Sequence, residues 1–76
     1  MKKLEILEDL KNSNKVLIKM MRLSMIEIKK VHKKGHLTEI DQAIEMISKL
    51  KLLEHLYYNY LENEKFIALL EEQLEE

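Results

Sequence analysis

The chain has no cysteine, no proline, no tryptophan and only one glycine, Gly35. Without cysteine there is no disulfide framework and no thiolate to act as nucleophile or metal ligand, which fits a reducing compartment, so a cytoplasmic location is expected. No apolar run approaches the ~20 residues that a membrane-spanning helix needs. The basic start Met1-Lys2-Lys3 lacks the apolar stretch of a secretory signal, because Glu5, Glu8 and Asp9 interrupt it. The formal net charge of −1 exerts no global pull toward nucleic acid. There is no glycine-rich phosphate loop and no Ser/His/Asp spacing. A non-enzymatic protein without a cofactor or a metal is the expectation.

Length narrows the choice further. Seventy-six residues make one domain at most. Below about 70–80 residues a single core rarely supplies more than ~3–5 kcal/mol. With no disulfide and no evident metal, the remaining remedy is association, with a second copy or with another chain.

What the chain does have is a division of charge at Gly35. Residues 1–36 carry ten Lys/Arg against four Asp/Glu, a balance of +6, and residues 37–76 carry three against ten, a balance of −7. On both sides the apolar residues recur at helical spacing. The expected fold is all-α: an antiparallel two-helix hairpin turning at Gly35, its basic arm lying along its acidic arm. The divisions within this single domain, 1–76, are a short N-terminal helix or extension over 1–12, a basic helix over 15–34 and an acidic helix over 38–74.

Leu4, Leu7 and Leu10 give the first segment one apolar side. Asn12-Ser13-Asn14 follows, three residues that compete for backbone hydrogen bonds and favour caps, so a kink or break is expected there. In the basic helix Leu17, Met21, Ile28 and Val31 form a stripe that Ile18, Met20 and Met25 widen. Val16, Leu23 and Ile26 fall on another side, left over once the hairpin closes. Lys33-Lys34-Gly35-His36 reads as the turn, with Gly35 as a left-handed cap. Thr38 restarts the helix as its cap, with Asp41 three positions on. In the acidic helix Ile40, Ala43, Ile47, Leu50, Leu53 (or Glu54) and Tyr57 follow 3–4 spacing and make the expected stripe. Folding about Gly35 sets Leu17 opposite about His55.

Few residues invite chemistry. His32 and His36 stand four apart, a metal-binding spacing on a helix, with Asp41 in reach, but Gly35 lies between them and two solvated histidines are the simpler reading. His55, placed at the seam's edge, has no partner base. Lys29, Lys30, Lys33 and Lys34 could touch phosphates, yet no aromatic residue is interleaved and Glu39 and Asp41 lie near, so no nucleic-acid partner is expected. Tyr57-Tyr58-Asn59-Tyr60 differs, since three tyrosines in four positions cannot all face one seam. Tyr57 and either Tyr60 or Leu61 can pack inside, while Tyr58 points elsewhere, available to a partner. The candidate contact residues are therefore Val16, Leu23, Ile26, Tyr57, Tyr58, Tyr60 and Leu61.

Leu7-Glu8-Asp9-Leu10, the polar turn near residue 35 and the closing run Leu53-Glu54-His55-Leu56-Tyr57-Tyr58-Asn59-Tyr60 carry a resemblance over most of residues 4–62. The chain resembles the small E-type co-chaperones of bacterial type III secretion, a virulence system, and looks nearest to the branch of Salmonella's second secretion system. The resemblance implies a helical hairpin that binds and stabilises a chaperone built of tetratricopeptide-like helix pairs. That chaperone holds the needle subunit soluble and unpolymerised before export. A self-associating four-helix bundle, dimeric in isolation, is the competing reading. A third is the sporulation-type aspartyl-phosphate phosphatases, whose Ser-Gln-Glu-Leu-Asp run is replaced here by Ser48-Lys49-Leu50-Lys51-Leu52, without the acid.

Overall fold

The computed structural model describes residues 2–33 and 38–75, apart from the His32 side chain. The chain is an all-α hairpin of two helices, α1 (Lys2–His32) and α2 (Glu39–Glu75). They lie side by side in a rod of 58 × 14 × 14 Å. At ~1.5 Å per residue a helix the length of α2 spans the whole rod. The chain reverses between Lys33 and Thr38. Gly35, with the left-handed cap expected on it, lies outside the described residues, as do Lys34 and His36.

The two helix ends at the reversal are held by local bonds. The amide of Lys33 donates to the carbonyl of Lys30 at 3.1 Å, tightening the last turn of α1. Thr38 caps α2 as the sequence predicts: its Oγ1 accepts from the Asp41 amide at 3.1 Å and donates to Asp41 Oδ2 at 2.8 Å. The Gln42 amide then closes the first turn on the Thr38 carbonyl at 2.9 Å. Thr38→Ala is expected to cost about 1 kcal/mol, with Thr38→Ser close to neutral, read as a shift in urea midpoint at unchanged slope.

The seam follows a seven-residue repeat. Its α1 side is Leu7, Leu10, Asn14, Leu17, Met21, Ser24, Ile28 and Val31, all buried or half-buried. Its α2 side is Gln42, Met46, Lys49, Leu53, Leu56, Tyr60, Asn63, Ile67 and Leu70. Alternating steps of three and four keep one stripe of each helix against the other, the condition for a left-handed coiled coil.

Three expectations are corrected. First, α1 is not interrupted at Asn12-Ser13-Asn14; one helix replaces the separate 1–12 and 15–34 elements. Asn14 sits in the seam at 4% exposure and spends its side chain across the hairpin rather than on its own backbone. Its Nδ2 donates to Glu64 Oε1 at 2.8 Å and to the Tyr60 carbonyl at 3.4 Å, and Asn63 Nδ2 donates to Asn14 Oδ1 at 2.9 Å. Second, the α2 stripe through Ile40, Ile47, Leu50 and Tyr57 faces outward, these residues being 47–72% exposed. Third, Asn14 stands opposite Asn63 and Glu27 reaches Lys49 at 3.8 Å. That places α1 about one helical turn away from the pairing of Leu17 with His55.

Charge crosses the seam in both directions. Lys11 pairs with Glu71 at 3.5 Å, basic arm to acidic arm, while Lys49 of the acidic arm pairs with Glu27 of the basic one. Such pairs, exposed at Lys11–Glu71 and partly so at Lys49–Glu27, contribute only ~0–1 kcal/mol each, and their effect is on alignment.

Candidate interaction faces

Very little of the apolar content is hidden. Leu7, Val31, Leu56 and Ile67 are the buried apolar side chains among the described residues, against eighteen large apolar side chains left exposed. The cause is geometric: a helix in a two-helix rod has one neighbour and buries one stripe. α2 has apolar residues on all sides, a pattern that belongs to a helix covered all round. The accessible surface is 6266 Å² against ~4,900 Å² for a compact monomer of 9.2 kDa, an excess of roughly 1,300 Å².

The exposed residues group by side of the rod. One flank carries a groove between the helices lined by Met20, Leu23, Ser24, Leu52 and Leu56, closed by the Glu27–Lys49 pair. The opposite flank carries a groove lined by Met21, Met25, Leu50, Leu53, Glu54 and Tyr57. Beside that second groove Ile40, Ile47 and Leu61 continue an apolar stripe along α2 for ~32 Å. On the outer surface of α2, Tyr58, Leu61, Phe66 and Leu69 border a third hollow.

The seven candidate contact residues therefore do not form one patch. Val16 and Leu23, 55% and 62% exposed, belong to the first flank, and Ile26 lies on the outer side of α1. Tyr57 and Leu61 belong to the second flank. Tyr58 is on the outer side of α2, its ring 6.3 Å from that of Tyr57. Tyr60 turns into the seam and is half-buried, so Tyr60, not Tyr57, is the tyrosine that packs inside. Met20, Leu52 and Phe66 add to the exposed apolar surface and are not among the seven candidates. Their signal was present in the sequence, since each lies one position from a seam residue of the seven-residue repeat.

The polar candidates are dispersed. Lys29, Lys30 and Lys33 are exposed, and Lys30 pairs with Glu27 of its own helix at 3.4 Å. His55 is exposed on α2, not at the seam's edge. Asp41 is engaged by Thr38, and the His32–His36 pair cannot be placed because His36 lies outside the described residues. No described helix is long and apolar enough to cross a membrane. Comparison with protein-family models, with curated proteins and with solved structures finds no match to this chain.

Proposed function

We propose that this chain is a non-enzymatic co-chaperone whose partner is a chaperone of tetratricopeptide-like helix pairs, and that together they keep a secretion-needle subunit soluble before export. The observation that carries the reading is the exposed apolar surface: a rod of two helices with eighteen uncovered large apolar side chains gains from a protein that lies along it. Stacked helix pairs present extended concave surfaces along which such a rod can lie. The resemblance of the segments around Leu7-Glu8-Asp9-Leu10 and Tyr57-Tyr58-Asn59-Tyr60 supplies the identity of that partner. The groove at Leu23 is the contact on α1, where Met20, Leu52 and Leu56 surround a mostly apolar hollow.

The test is co-purification with such a chaperone and its needle subunit, expressed together. Leu23→Asp places a charge in the contact but at a position 62% exposed in the hairpin, so helicity is expected to be unchanged. Recovery of the chaperone is expected to fall at least tenfold. Wild-type recovery with Leu23→Asp, or no complex with the unsubstituted chain, counts against the proposal.

A further inference from the structure

We infer that the isolated chain forms a symmetric dimer through the flank that carries Met25, Leu50 and Tyr57, a second copy lying face to face on it as a four-helix bundle. Area supports a second copy. One flank of a rod 58 Å long and 14 Å wide spans roughly 800 Å², about what each partner contributes to a stable interface. A net charge of −1 leaves little self-repulsion to oppose it.

Charge selects the arrangement. Lys15, Arg22 and Lys29 recur at seven-residue intervals along the α1 edge of this flank, and all three are exposed. If each helix lay on its own counterpart, the two basic rows would face each other. With the twofold axis along the rod, α1 lies on the α2 of the second copy, and the basic arm meets the acidic one. The seam sets the levels. Asn14 stands opposite Asn63 and Glu27 opposite Lys49, which brings Arg22 level with Glu54. Glu54 is the one charged residue in the stripe from Ile40 to Leu61 on this flank, and it borders the groove. Neither Arg22 nor Glu54 makes an ion pair within the described hairpin. A rotation about the rod axis leaves levels unchanged, so Arg22 of each copy reaches Glu54 of the other, twice per dimer.

The isolated full chain, followed by sedimentation equilibrium, is expected to be a dimer at micromolar concentration. Leu50→Lys is expected to weaken it at least tenfold while circular dichroism at high concentration stays helical. Arg22→Glu and Glu54→Arg each create two like-charge contacts and are expected to weaken it about tenfold. The double variant Arg22→Glu/Glu54→Arg is expected to return to within a few-fold of wild type. A monomer at all concentrations, a larger oligomer, indifference to Leu50→Lys, or charge reversals that do not rescue each other would overturn the inference. No chaperone enters these measurements, so a failure here is separate from a failure of the co-chaperone reading.

Discussion

Leu56→Ala is expected to leave the purified chain largely unfolded at low concentration, with most of its helical circular dichroism lost. Leu56 is 5% exposed and belongs to the small set of buried apolar side chains. Replacing a buried leucine by alanine removes ~2–5 kcal/mol, through lost transfer energy and an unfilled cavity. A chain of this length has only ~3–5 kcal/mol from its core to begin with. The matching control is Leu52→Ala, the same chemistry one turn away at 52% exposure, where a change within ~0.5 kcal/mol is expected. Urea titrations of both variants and wild type at one protein concentration make the comparison. Equal midpoint shifts would mean that the seam assigned to α2 is wrong, since the burial of Leu56 and the exposure of Leu52 follow from the same helix rotation.

That rotation is also what the sequence least discloses. The hairpin, its capped restart at Thr38 and the near-equal arms are all local or compositional, and they can be read directly. Which side of α2 faces α1 is not local. Apolar residues surround α2, so steps of three and four can be drawn through Ile40, Ile47, Leu50 and Tyr57 as readily as through Met46, Leu53, Leu56 and Tyr60. What separates the two stripes is the polar pair at Asn14 and Asn63, 49 residues apart in the chain. A reading of one helix at a time takes Asn14 for a breaker, because its propensity is poor and its partner is out of view. The seven-residue spacing of Leu7, Asn14 and Met21 is the signal that places it in the seam instead. The register differs for a related reason: it is set by the pairing of Asn14 with Asn63 and of Glu27 with Lys49 across the seam, not by symmetry about Gly35. The contact surface inherits these displacements. Val16, Leu23 and Tyr58 are legible as left-over positions and Tyr60 as one that can pack inside, while Tyr57, expected inside, turns outward once the helix is rotated.

The same polar pair gives the second large expected effect, with opposite signs for one substitution and for two. Asn14→Leu alone is expected to destabilise the hairpin by ~1–3 kcal/mol even though it adds apolar bulk to a buried position. It removes the acceptor of the Asn63 amide and a donor to the Glu64 carboxylate, and it places an apolar side chain against them. Adding Asn63→Leu reverses the sign. With both amides gone the seam gains two apolar layers, and the double variant is expected to melt above wild type. Its cost appears as lost definition. The amide pair is satisfied in one alignment only, and sliding α2 by a turn would separate half-buried Asn63 from buried Asn14 and break the bond between them. A uniformly apolar seam imposes no such penalty, so shifted registers and altered oligomer states become comparable in energy. Amide NMR spectra are the decisive measurement. The wild type is expected to give one resonance per residue around Tyr60 and Glu64, and the double variant broadened or multiple resonances despite its higher melting temperature. A single variant Asn14→Leu more stable than wild type, or a double variant as sharply defined as the parent, would show that the Asn14–Asn63 pair does not set the alignment of the two helices.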